Sequence, residues 1–257
     1  MSQTMIGKCA LLVCCLFILC HPGSVRGEAK TIPDEFMEIR AVLPDVLMDI
    51  RYYTPHNFVG TRVDGYRAPK CYLTRPAAAA LARVQGELVA SGLTLKIYDC
   101  YRPQKAVNHF VRWAAALGDT ATKAEFYPKV DKKNLFRDGY IAEKSGHSRG
   151  STIDLTIVVL PALPQENYMP HKNLRACYLP RERRYRDNGI DMGTGFDCFD
   201  ARSHTLNKTI GPSPRLHRAL LKTVMEKHGF INYDKEWWHY TLKGEPFPDT
   251  YFDFDVE

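Results

Sequence analysis

The chain has 257 residues, 45% apolar and 25% charged, an ordinary globular composition that excludes a disordered polar tail or a collagen-like repeat. Its 35 Lys and Arg against 29 Asp and Glu give a formal net charge of +6, spread along the chain without the dense basic stripe of a dedicated nucleic-acid binder. Eight cysteines are many for a reducing compartment, so the compartment comes first.

Residues 1–27 (MSQTMIGKCALLVCCLFILCHPGSVRG) carry Lys8 and then an apolar run from Cys9 to Cys20, too short to span a ~30 Å hydrocarbon core as a helix. Val25 and Gly27 suit the −3 and −1 positions of a cleavage site, so the segment reads as a secretory signal. The expectation is an exported protein, periplasmic or secreted, with no stable membrane association after cleavage. A retained anchor or a buried N-terminal helix is the alternative. Without residues 1–27 the chain loses two bases and no acid, leaving +4, and loses Cys9, Cys14, Cys15 and Cys20. Cys71, Cys100, Cys177 and Cys198 remain, an even number that suggests two disulfides. Three pairings are open; Cys71–Cys100 and Cys177–Cys198 are favoured because each closes a local loop.

Thr74-Arg75-Pro76 opens a helix, with Thr as cap and Pro in the first turn. Its body to Ala90 puts Ala77, Leu81, Val84 and Leu88 on one face, and Gly92 suits the stop. Leu93 to Cys100 reads as a strand with apolar positions at 93, 95 and 97. A second helix follows Arg102-Pro103, with Val107, Phe110, Val111 and Ala114 in one stripe, and stops at Gly118. Ser151 to Leu160 is a β-branched strand. Residues 161–212 are the least regular part, with Pro161, Pro164, Pro170 and Pro180 and then the run Arg181–Arg186 (RERRYR). A loop this long is functional or tied down; a Cys177–Cys198 bridge would tie it, and the arginine run reads as a solvated face. Asn207-Lys208-Thr209 is a glycosylation sequon, meaningful only in a eukaryotic secretory pathway. Ser213-Pro214 opens a third helix with Leu216, Leu220 and Val224 as its stripe, ending at Gly229, and Phe230 to Leu242 reads as one or two aromatic strands. The whole is an α+β single domain over 28–257, its core from about 36, with a mostly antiparallel central sheet and flanking helices.

The chemistry centres on Asp154. It stands among Ile153, Leu155, Ile157, Val158 and Val159, so its carboxylate enters a buried sheet and needs a cation nearby. An arginine would serve. His147, seven residues upstream in Ser145-Gly146-His147-Ser148-Arg149-Gly150, offers another answer, because a flexible turn there brings an imidazole to the strand and makes two ligands of a zinc site. His239 in Glu236-Trp237-Trp238-His239 is the third candidate. Three protein ligands leave the fourth position open for water, the pattern of one catalytic Zn2+ per chain. Glu236 is placed to take a proton from that water and pass it to a leaving amine. Arg102 follows a strand end in Tyr98-Asp99-Cys100-Tyr101-Arg102-Pro103 and is a candidate to hold a carboxylate or a tetrahedral oxyanion, or else to pair with Asp99. Asp99 and Ser145 are candidates to accept hydrogen bonds from a substrate ammonium.

With these motifs, Asn57-Phe58-Val59-Gly60, Asp64-Gly65-Tyr66, Asp154-Leu155-Thr156 and Tyr251-Phe252-Asp253-Phe254, the chain from Tyr52 to Phe254 resembles the VanX-like D-alanyl-D-alanine dipeptidases, related to D,D-carboxypeptidases and to the hedgehog-type zinc fold. The resemblance implies zinc-dependent hydrolysis of a small D,D-dipeptide, with His147, Asp154 and His239 as ligands, Glu236 as general base and Arg102 stabilising the transition state. It implies that Ser145, Asp154 and Glu236 help to bind the substrate amino group and that Tyr52 or Tyr53 lines the pocket. Cys100 stands where the family often has Gly, and the 161–212 segment is longer than the family leads one to expect. A D,D-carboxypeptidase trimming longer peptidoglycan stems and a non-catalytic zinc-stabilised binding module are the alternatives.

Overall fold

The computed structural model describes Met1 and residues 31–257. The expected signal segment, apart from Met1, lies outside the described residues. In chain order the strands are β1 (Phe36–Glu38), β2 (Leu47–Met48), β3 (Tyr72–Thr74), β4 (Leu93–Asp99), β5 (Thr152–Val159), β6 (Phe230–Asn232) and β7 (His239–Leu242). The helices are α1 (Arg75–Val89), α2 (Gln104–Ala115), α3 (Lys123–Phe126) and α4 (Pro212–Lys227), with several single 3₁₀ turns between them.

The central sheet has the order β2-β4-β5-β7-β6, and β1 pairs with β3 in a small second sheet. Three of the central pairings are antiparallel, but β2 runs parallel to β4. The sheet is therefore mixed, a correction to the antiparallel expectation at this edge. The reason is connectivity: β3 and α1 carry the chain across before it enters β4, and a crossover of this kind returns a strand in the same direction. Among the described residues no helix is long and apolar enough to cross a membrane.

α1 forms where the sequence predicts it. Pro76 sits in the first turn and Ala77, Leu81, Val84 and Leu88 are buried, but the Thr74 side chain does not cap the helix, because its hydroxyl is taken by Ser151 Oγ at 2.7 Å. In α2, Val107, Phe110 and Ala114 are buried while Val111 is only half-buried. β4 is covered on both faces, since Thr94, Lys96 and Tyr98 are as buried as Leu95 and Ile97. The Lys96 and Tyr98 side lies under the irregular segment. Lys96 Nζ donates to Asp187, to Asn188 at 2.7 Å and to Gln165 at 3.1 Å, and Tyr98 stacks on Phe196 with ring centres 4.5 Å apart.

α4 departs from its predicted stripe. Leu216 and Leu220 are 70% and 41% exposed, and the buried residues are Pro214, Arg218, Leu221, Val224 and Met225. Arg218 explains the rotation. Its Nε donates to Met192 O and its Nη1 to His204 O, both at 2.7 Å. The irregular segment buries carbonyls that no sheet partner satisfies, and one rigid guanidinium fork serves two of them. The arginine run is likewise not all solvated, because Arg184 is buried against Leu179 O and Asp191.

Both favoured disulfides are present. Cys71–Cys100 joins the approach to β3 to the end of β4, and Cys177–Cys198 ties the irregular segment, with Cα–Cα separations of 5.3 and 5.5 Å. Their partners are 29 and 21 residues apart, so by the chain-entropy account each stabilises by about 3–4 kcal/mol through the unfolded state.

Candidate active site

Register brings the site together. Asp154 on β5 pairs with Asp99 of β4 on one side and with His239 of β7 on the other. His147 arrives from a different direction, on the 3₁₀ turn Gly146–Arg149, where the His147 N–H donates to Ser145 Oγ at 3.3 Å and the end is the left-handed Gly150 (φ 83°). The Gly150 carbonyl is bonded to Thr74 N at 2.8 Å, and a Cβ built at Gly150 would fall 2.2 Å from Cε1 of the buried Phe36 ring. Gly150→Ala therefore combines a disfavoured backbone conformation with an overpacked core, and should cost about 3 kcal/mol of stability. Denaturant unfolding of the purified variant measures this, and an unchanged midpoint would contradict it.

The ligand atoms converge. His147 Nε2 lies 3.3 Å from Asp154 Oδ1, His239 Nδ1 lies 3.1 Å from the same oxygen, and the two nitrogens are 3.2 Å apart. His147 Nδ1 donates to the Cys100 carbonyl at 2.7 Å, which leaves the lone pair on Nε2 facing the cluster. Asp154 Oδ1 is buried and makes no well-directed hydrogen bond. With both imidazoles presenting lone pairs to the cluster, three acceptor atoms this close repel one another unless a cation lies among them. Their spacing matches the edge of about 3.3 Å expected for a tetrahedron with metal–ligand bonds of 2.0–2.1 Å. The residues fit a divalent metal with two imidazoles and one carboxylate, their ligand atoms all within 4.8 Å of one another. Burial pushes the Asp154 carboxyl up, but the two imidazoles beside it more than reverse this and hold it well below the usual carboxylate range.

Glu236 stands beside this cluster, its Oε2 3.5 Å from His239 Nδ1. The loop between β6 and β7 that carries it is pinned by buried tryptophans: Trp237 N donates to Ser203 O at 3.1 Å and Trp237 Nε1 to Thr194 Oγ1 at 2.9 Å. Burial raises the Glu236 carboxyl to about 7, against the opposing pull of His239. A carboxyl in that range exchanges protons readily near neutrality.

Arg102 reaches the same cavity. Its Nε and Nη2 contact Asp99 Oδ2 at 2.9 and 2.8 Å, Nη2 is 3.7 Å from Asp154 Oδ2, and its guanidinium lies over the Tyr52 and Phe110 rings at 4.8 and 5.0 Å. Asp99 is fully buried, accepting from Tyr66 OH at 2.5 Å and lying 3.4 Å from His147 Nδ1. It is not among the residues that line the cavity, and its carboxylate is turned to Arg102. The Arg51–Tyr53 turn sends its two tyrosines to opposite sides. Tyr52 is buried and lines the cavity, whereas Tyr53 is half-buried outside it with the Arg62 guanidinium 5.9 Å from its ring.

The cavity, about 260 Å³, is lined by His147, Asp154, His239, Glu236, Arg102, Ser145 and Tyr52. It is completed by residues the sequence did not single out, chiefly Asp197, Tyr140, Phe199, Tyr233 and Lys144. Asp197 is the most consequential of these. It is buried in a left-handed conformation (φ 55°) and accepts a hydrogen bond from Tyr52 OH at 2.9 Å. The one signal for it in the sequence is its neighbour Cys198, because an acid in an irregular segment has no periodic pattern to mark it.

A family model described as D-Ala-D-Ala dipeptidase, peptidase M15, matches residues 33–163 and 181–257. The chain belongs to this family. Family membership makes it a metallopeptidase, in keeping with the converging His, Asp and His ligands. Relatives that carry the name D-alanyl-D-alanine dipeptidase include one from Enterococcus faecalis, 40% identical over 223 residues, and one from Streptomyces coelicolor, 37% identical over 222 residues. A third, from Enterococcus faecium, is 36% identical over 224 residues. Each alignment spans 86% of this chain and 98% of the relative. The M15 dipeptidase match leaves out residues 164–180, within the irregular segment.

Proposed function

We propose that this protein hydrolyses D-alanyl-D-alanine or a closely related D,D-dipeptide, with one Zn2+ held by His147, Asp154 and His239. The observation that carries the reading is the placement of those three ligands, Glu236 and Arg102 on a single cavity. Zinc, when bound, supplies a Lewis acid and lowers the pKa of a water toward 7.

The chain's own residues do the rest. Glu236 accepts the proton of the attacking water and returns it to the departing amine, a double task suited to its place in the cavity beside His239. Arg102, held by Asp99 and backed by two aromatic rings, presents a fixed donor to the oxygen that gains charge as the carbonyl becomes tetrahedral. Ser145, Asp154 and Glu236 all line the cavity and offer acceptors to the substrate ammonium. A volume of about 260 Å³ suits a dipeptide of small side chains far better than a peptidoglycan stem. We place the protein in an exported compartment, a reading supported by the two disulfides of its described residues.

A kinetic panel tests this function. D-Ala-D-Ala should be turned over with kcat/KM at least about 10²-fold above a tripeptide or pentapeptide ending in D-Ala-D-Ala, since a misfitted substrate forfeits several kcal/mol of transition-state binding. Turnover should vanish with chelator and return with zinc. Preference for the pentapeptide would establish a D,D-carboxypeptidase instead, and bound zinc without turnover of any of them would establish a binding module.

A further inference from the structure

The residues left out by the M15 dipeptidase match, 164–180, include Cys177. This added segment is anchored at two places. At one, the Tyr168 ring stacks on the buried His56 with centres 3.7 Å apart, and the His56 Nε2 is 3.0 Å from Glu125 Oε1. At the other, Cys177 is gripped on three sides: its N–H donates to Glu125 O at 2.9 Å, its carbonyl accepts from Gly195 N at 2.8 Å, and its sulfur is bonded to Cys198.

Those last two links bracket Asp197. The residue is buried, lines the substrate cavity, is bonded to Tyr52 OH and holds a left-handed conformation, which Asp adopts more readily than most side chains but still seldom. Such a conformation persists where the surroundings over-determine it. Here the surroundings are Cys177 on the Gly195 side and Cys177 again, through sulfur, on the Cys198 side. The next residue, Phe199, is also a cavity wall; its N–H donates to Phe126 O at 2.8 Å and its ring stacks on Tyr140 at 4.9 Å.

We infer that segment 164–180 is a strut that, through the Cys177–Cys198 bridge, fixes the Asp197–Phe199 wall of the substrate cavity, making Cys177 a positioning residue for dipeptide binding. The inference rests on the dipeptidase reading above. The strut touches neither the metal ligands nor Glu236, so it acts on the fit of the substrate and not on the chemical step.

The test is the isosteric pair Cys177→Ser/Cys198→Ser, assayed with D-Ala-D-Ala and analysed for zinc content. KM should rise about tenfold with kcat within about twofold, the signature of lost ground-state fit, and bound zinc should stay at the wild-type level. In a Tyr52→Phe background, where the wall has already lost its bond to Asp197, the same pair should raise KM by less than about threefold, because changes that act through one contact are not additive. Unchanged KM, or a joint fall of kcat and zinc content, overturns the strut. Should the pair not accumulate as folded protein, Tyr168→Ala decides, since it frees the other anchor and keeps the bridge. A KM raised about threefold at constant kcat supports the strut, and an unchanged KM overturns it. Wild-type protein is the control: no turnover of D-Ala-D-Ala overturns the dipeptidase reading, whereas normal wild-type turnover with unaltered variants overturns the strut alone.

Discussion

Glu236→Ala is expected to lower kcat for D-Ala-D-Ala by about 10³- to 10⁴-fold, near the upper limit for a lost general acid–base, while zinc content stays at one equivalent. Two observations set this expectation. The Glu236 carboxyl is 3.5 Å from His239 and carried on a loop pinned by Trp237, so its removal leaves the three ligand atoms in place. In the proposed reaction it also has two tasks, deprotonating water and protonating the amine, and no other carboxylate of the cavity is free to take over both. Asp154 is committed to the cluster, and Asp197 is bonded to Tyr52. Single-turnover kinetics with elemental analysis measure both quantities. A variant that still hydrolyses the dipeptide at a rate near wild type would remove Glu236 from this role.

The second large effect is on metal binding. His147→Ala should reduce bound zinc after dialysis below about a tenth of an equivalent, since a structural or catalytic site held by three protein ligands loses most of its affinity with one of them. His147 is singled out because its Nδ1 is fixed by the Cys100 carbonyl at 2.7 Å, so its Nε2 is aimed before any metal arrives. The loss has a second reading that is independent of activity. A metal that binds the folded state alone stabilises it by mass action, so chelator should lower the melting temperature of the wild type and leave that of His147→Ala unchanged. Full zinc occupancy in the variant would take His147 out of the site.

The helices and strands that position this cluster were legible in the sequence where a period or a cap marks them. α1 and β5 lie within one or two residues of their expected bounds, because Pro76 and a β-branched run are local signals. The convergence of His147, Asp154 and His239 was legible too, for a related reason. A carboxylate inside an apolar strand demands a partner, and the glycine-flanked His147 and the tryptophan-flanked His239 are side chains that can supply one.

What stayed hidden has a common physical cause. The rotation of α4 is set by Arg218 reaching carbonyls of residues 192 and 204, and no pattern within the helix announces a partner that lies in a loop. For Arg102 the sequence left a ligand role and a pairing with Asp99 both open, and the β4 register, which turns Asp99 inward, is what makes the pair. Tyr53 points away because a 3₁₀ turn separates neighbouring side chains. Sequence alone thus marked out the α+β class, His147, Asp154, His239 and Glu236 as candidates, and the four cysteines available to pair, since each residue stands out by its own immediate neighbours in the chain. The tertiary structure alone decided the parallel edge of the sheet, the inward turn of Asp99 and the Asp197–Phe199 wall with its tether to Cys177. These depend on backbone carbonyls, strand register and loop closure between distant parts of the chain, and such long-range terms leave no local trace in the order of residues.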